Sequence, residues 1–284
     1  MIALESGAAR VTVSPRGAEL QAWSVAGHDI LWTPDRTVWD AVAPILFPVV
    51  GWTRGGSIKV DGRSYPLGLH GFAAKRHFAV EVKTPTSLSL VDCSDEHTRA
   101  LYPFDYRLTI DFALGDETLS CTASVTNEGS RPMPYAIGFH PGFRWPLDRP
   151  ATVTFDKAEE QSVPVITPDG LFARERRPVA LEGRTLTVTR DLMAREALCF
   201  LGLRSAGLTY ETGGFGRLRI EHEDFPHVAL WSRPPAPYLC IESWTGHGDP
   251  DDFEGELCDK PSMGLLPPGA SARHAARYTF TPAT

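Results

Sequence analysis

Two histidines and one glutamate in this 284-residue chain stand in contexts that favour chemistry over packing. His70 lies in Leu69-His-Gly-Phe72, beside a glycine that lets the backbone turn tightly. His140 lies in Ala136-Ile-Gly-Phe-His-Pro-Gly-Phe143, bracketed by turn formers and aromatics. Glu242 lies in Tyr238-Leu-Cys-Ile-Glu-Ser-Trp-Thr-Gly246, at the end of an apolar strand, where a carboxylate has to be paired or put to use. Imidazole and carboxylate titrate near about 6.5 and about 4.3, so together they supply an acid and a base without a cofactor. Trp231 and Trp244 add indole faces that suit the C–H faces of a sugar. The matching reaction moves one proton on and one off. Each residue also has a plainer reading: a satisfied core or surface histidine, and a glutamate that caps a turn or pairs with an arginine.

Other chemistries fit less well. His70 and His77 are seven apart, an odd offset that puts them on opposite faces of a strand, and no close Cys or His pair offers a zinc site. No Gly-x-Ser-x-Gly and no phosphate-binding glycine loop occurs. The net charge of −7 argues against nucleic acid as a partner. No apolar run approaches the roughly 18 residues of a membrane span, and residues 1–10 lack the basic start and apolar stretch of a signal peptide. Cys93, Cys121, Cys199, Cys240 and Cys258 form no Cys-x-x-Cys, which points to reduced thiols and a cytoplasmic chain.

The elements that must position these residues read as strands. Period-two alternation recurs at 10–13, 57–60, 63–65, 106–112, 119–125, 151–155, 185–189, 218–222, 228–231, 238–242 and 277–280. Asp61-Gly62 and Gly115-Asp116 mark hairpins. Only 190–198 has a helical pattern, about two turns long. Gly 25 and Pro 24 are spread along the chain as turn punctuation, and no linker divides it. The expectation is an all-β fold, one large antiparallel β-sandwich domain over 1–284.

Taken together, the ordered segments resemble the aldose 1-epimerase (galactose mutarotase) family, in particular its shorter bacterial branch, which includes hexose-phosphate mutarotase-like proteins. They are Pro44-Ile-Leu-Phe-Pro-Val-Val-Gly51, His70-Gly-Phe-Ala73, Gly138-Phe-His-Pro-Gly-Phe143, Leu230-Trp-Ser232, Cys240-Ile-Glu-Ser-Trp-Thr-Gly246 and Leu266-Pro-Pro-Gly269. The resemblance implies a large sandwich of twisted antiparallel sheets with a sugar cleft, and interconversion of α and β anomers with no cofactor; the spacing of histidines and cysteines adds the expectation of no metal. It implies Glu242 as the base at the anomeric hydroxyl, His140 as the acid at the ring oxygen, and His70 as a second histidine that hydrogen-bonds the sugar. Trp231 falls at a sugar-facing position, and a nearby carboxylate is expected to raise the histidine pKa. The implied partner is a small sugar, handled by a monomer or homodimer.

The departures concern the substrate. The family's arginine after the glycine of Phe-Pro-x-x-Gly is replaced by Trp52, leaving Arg54 as the next arginine. The arginine that often follows His-Gly-Phe-Ala is replaced by Ala74, with Lys75 and Arg76 next. Arg54, Lys75 and Arg76 are therefore the expected contacts to sugar hydroxyls or to an anionic substituent such as phosphate or sulfonate. Glu196 aligns with the family's substrate-binding aspartate, one methylene longer. The competing readings are a non-catalytic carbohydrate-binding sandwich, which has no need for His140 with Glu242, and a glycoside hydrolase, which needs a second carboxylate across the scissile bond.

Overall fold

The computed structural model describes residues 1–146 and 149–283. Two antiparallel sheets dominate it. The larger has ten strands, running from Leu181–Glu182 at one edge to Ala79–Lys83 at the other, with Gly216–Glu223, Ser271–Pro282, Thr118–Asn127 and Tyr106–Leu114 adjacent in its middle. The smaller has six, in the order Leu198–Leu201, His227–Trp231, Tyr238–Trp244, Gly138–Phe139 and Ile45–Leu46, with Gly142–Arg144 also paired to Tyr238–Trp244. An N-terminal four-stranded sheet begins with the hairpin Ile2–Ser6 and Ala9–Ser14.

Alternation explains the large sheet. In Thr118–Asn127 every second residue is buried, from Leu119 through Cys121, Ala123 and Val125. The two sheets pack face to face, joined by Phe155 on Phe200 and Phe143 on Tyr278, and by a 2.8 Å hydrogen bond between Ser243 Oγ and His222 Nδ1. The expected all-β sandwich is the fold found.

Two local expectations change and one holds. The helical pattern at 190–198 yields a single turn, Arg190–Met193, capped by the Thr189 hydroxyl accepting from the Leu192 amide. The chain then enters the strand Leu198–Leu201, because apolar Leu198 and Phe200 are drawn into the core between the sheets. The Asp61-Gly62 hairpin forms as read, with both residues at positive φ. Glu242 does not end its strand: Tyr238–Trp244 runs two residues further and is buried throughout.

Candidate active site

Strand register builds the site. Cys199 lies opposite Ala229, and Ala229 opposite Glu242, so these three side chains share one face of the six-stranded sheet. Trp231 and Trp244 belong to the same face by the two-residue repeat. The opposite face carries Ser243, which points at His222 of the ten-stranded sheet. The catalytic-type residues therefore stand on the face opposite Ser243 and the ten-stranded sheet. They stand beside a second, smaller apolar cluster of Leu46, Val50, Ala136, Phe172, Cys199, Ala229 and Trp244.

His140 Nε2 lies 3.2 Å from Glu242 Oε2. The two groups are only 7% and 2% exposed, so each depends on the other rather than on water. Trp244 Nε1–H donates to the same carboxylate oxygen at 3.0 Å. His70 presents its ring edge-on to His140, centres 5.6 Å apart. Its Nδ1 accepts the Gly51 amide at 3.0 Å, which fixes the tautomer and leaves Nε2–H as the free donor. His70 holds a left-handed backbone (φ 60°), and Gly71 follows at φ 70°. A Cβ on Gly71 would sit 2.3 Å from the Phe47 carbonyl oxygen, so only glycine lets this loop pack against Phe47.

Aromatic rings enclose the pair. Trp231 meets His140 nearly at right angles, 5.6 Å between centres. Trp39, from the irregular segment after Leu31, packs on His140 at 5.1 Å and on Trp231 at 5.4 Å. It is held by an Asp35 turn, where the Trp39 amide donates to the Asp35 carbonyl and the Asp35 carboxylate accepts from the Thr37 amide and hydroxyl. Gly142 clears its path: a Cβ there would meet Trp32 and Trp39 at 2.8 and 2.9 Å.

Burial dominates the electrostatics. It pushes the Glu242 carboxyl well above its usual range, against the opposing Trp244 hydrogen bond. It drives the His140 imidazole well below its usual value, helped by the neighbouring His70. His70 itself falls to about 4 through burial. The expectation that a carboxylate field raises the histidine is therefore corrected: desolvation outweighs it. Among the described residues no group of three or more His, Cys, Asp or Glu side chains gathers to hold a metal ion.

The model of the aldose 1-epimerase family matches residues 1–180 of this chain. The chain belongs to the aldose 1-epimerase family. It is similar to the LacX protein of Lactococcus lactis, 29% identical over 252 residues that cover 84% of each chain. Among solved structures it is similar to a galactose mutarotase-like protein from Lactobacillus casei, with a TM-score of 0.94, 27% identity, and coverage of 99% of this chain and 100% of that one. It also resembles a galactose mutarotase related enzyme from Lactobacillus acidophilus, with a TM-score of 0.92, 28% identity, and coverage of 100% and 98%. As an aldose 1-epimerase family member it is an isomerase of the mutarotase type.

Within this epimerase the remaining expected residues divide. Glu196 stands beside the site: it pairs with Arg177 at 2.6 Å, and both charges, with that of Glu242, are felt by the buried Cys199 thiol. Arg54, Lys75 and Arg76 are not brought to the Glu242–His140 pair. Arg54 is exposed and turns to Glu254 at 3.5 Å. Arg76 is bound to Asp92 at 2.9 Å and to Asp95 at 2.8 Å, so its fork is already filled. Lys75 is exposed at the end of the turn Ala73–Lys75. Trp39 and Arg177 were not legible as site residues. The tryptophan sits in a segment without periodicity, and the arginine lies in the charged run Arg174-Glu-Arg-Arg177 that reads as solvated surface. Among the described residues no helix is long and apolar enough to cross a membrane.

Proposed function

We propose that this protein interconverts the α and β anomers of an aldohexose by acid–base ring opening, with Glu242 and His140 as the acting pair. The observation that carries the reading is their 3.2 Å contact in a site that excludes water from both. Glu242 takes the proton of the anomeric hydroxyl, and that O–H electron pair becomes the second bond of a C1 aldehyde. The C1–O5 pair leaves to the ring oxygen, which takes a proton from His140. Rotation about C1–C2 and the reverse transfers close the ring as the other anomer. Atoms and protons balance over the cycle.

Burial supports this direction. A carboxylate whose pKa is pushed up is a stronger base, and an imidazolium whose pKa is pushed down is a stronger acid. The pair reaches the charged arrangement by passing one proton across its own contact. It returns to the neutral arrangement, carboxylic acid and imidazole, as the sugar opens. His70 offers Nε2–H to the sugar, and Trp231 supplies an apolar face. Glu196, held by Arg177, supplies a hydroxyl acceptor. A reducing, cytoplasmic setting fits the five free thiols.

The test is exchange NMR between α and β anomers of glucose and galactose. Wild type accelerates exchange, whereas Glu242→Gln and His140→Asn each lower kcat/KM by roughly 10²–10⁴-fold. Unchanged exchange in both variants removes the assigned roles. A non-catalytic sugar-binding module would bind sugar and accelerate nothing.

A further inference from the structure

Lys75 lies exposed and is not brought to the acid–base pair, and the two arginines expected near an anionic substrate are neutralised by carboxylates: Arg54 by Glu254, and Arg76 by Asp92 and Asp95. So is Arg177, by Glu196, and the buried Lys260 pairs with Asp249 at 2.8 Å. Arg233 differs. It follows Trp231 by two residues, and its guanidinium carbon lies 5.5 Å from the centre of the Trp231 ring. One nitrogen, Nη1, donates to the Val38 carbonyl at 2.9 Å. No carboxylate among the described residues pairs with it. The result is an exposed, uncompensated fork one aromatic ring away from His140, on a protein whose net charge is −7.

The stereochemistry of ring opening gives this position meaning. With Glu242 at the anomeric oxygen and His140 at the ring oxygen, the exocyclic carbon hangs from the ring carbon on the far side of that ring oxygen. A substituent on it therefore leaves the site on the His140 side, along the wall that Trp231 and Trp39 form. Arg233 stands beyond that wall.

Resting on the mutarotase reading, we infer that Arg233 recognises a tetrahedral oxyanion, a phosphate ester or a sulfonate, carried on the exocyclic carbon of the aldohexose. Trp231 and Trp39 form the apolar passage between this anion and the acid–base pair. The guanidinium meets the anion through Nε and Nη2, the nitrogens that the Val38 contact leaves free. This moves charge recognition away from residues 54–76 to the loop that follows Trp231.

The test compares anomer exchange of glucose, glucose 6-phosphate and 6-deoxy-6-sulfoglucose in wild type, Arg233→Gln and Arg233→Lys. Wild type is expected to show a lower KM for an anionic sugar than for glucose. Arg233→Gln raises the anionic KM about 10- to 100-fold while glucose kcat/KM moves by less than about twofold. Arg233→Lys recovers part of the loss, because it keeps the charge without the fork. Preference for either the phosphate or the sulfonate supports the inference and tells which anion is used. Equal losses for neutral and anionic sugars in Arg233→Gln overturn it, since Arg233 would then only pin the Trp39 segment through Val38. Acceleration of glucose without any anionic preference overturns it and leaves the mutarotase reading standing. No acceleration of any sugar overturns both.

Discussion

Among the described residues, two pairs of opposite formal charge are buried on both sides, and only one of them is built to move a proton. Lys260 and Asp249 are as deeply enclosed as His140 and Glu242, at 3% and 4% exposure. Asp249 has a partner at each carboxylate oxygen: one lies 2.8 Å from Lys260 Nζ as an ion pair, and the other accepts the Arg54 amide at 2.8 Å. Its own amide donates to the Trp52 carbonyl. The pair thereby ties three distant segments together. Ordinary lysine and aspartate values lie about six units apart, so burial lowers the Lys260 value without making its proton mobile. Imidazole and carboxylate start only about two units apart, and burial pushes them toward each other. Near-matched partners under desolvation make an acid–base pair, whereas mismatched partners make a staple.

The largest contrast should appear when each pair loses one member. Glu242→Gln abolishes most exchange but leaves the fold intact, because it removes a charge that burial already opposes. Lys260→Met leaves Asp249 buried and unpaired, and costs about 3–5 kcal/mol of stability. Chemical denaturation and exchange NMR on both variants check the crossover. If Lys260→Met is as stable as wild type, the staple reading of the second pair fails.

A smaller effect separates the two pairs by pH. The reactive form of His140–Glu242 holds one proton between its two groups. Lowering the pH adds a second proton, a step that the depressed imidazole delays to well below the usual 6.5. Raising the pH removes the only proton, a step that the elevated carboxyl delays to well above its usual 4.5. The kcat/KM profile is therefore a broad-topped bell, with its acid limb below 6.5. An acid limb centred above 6.5 would show that the carboxylate field, and not burial, governs the histidine.

These contrasts bear on what the chain could reveal by itself. The His70, His140 and Glu242 segments were legible because turn glycines, prolines and an apolar strand surround polar groups with no packing purpose there. The strands around them were legible from alternation. The fates of the arginines were not, because a guanidinium is claimed by whichever carboxylate the fold brings near. For Arg76 that is Asp92, sixteen residues on, and for Arg54 it is Glu254, on the far side of the sequence. Trp39 was hidden for a similar reason: its place over His140 depends on the Asp35 turn and on the absence of a side chain at Gly142.

His222 offers the finest test, since it is an imidazole of the same kind placed back to back with the site but given a neutral partner. It bonds Ser243, the residue after Glu242, across the core. Burial lowers it to about 4, helped by the Arg219 charge and opposed by Asp156, which is itself held by Arg219. The unfolded chain binds that proton at about 6.5. Between pH 6.5 and 4 the unfolded state therefore carries more protons than the folded one, and stability falls as pH falls. The share of His222 is about 2.5 kcal/mol at pH 4.5. Urea melts at pH 7 and 4.5 should show a smaller acid loss in His222→Gln than in wild type, with exchange at pH 7 nearly unchanged. If the two proteins lose the same stability, His222 is protonated in the folded state, and desolvation is not the governing influence on it.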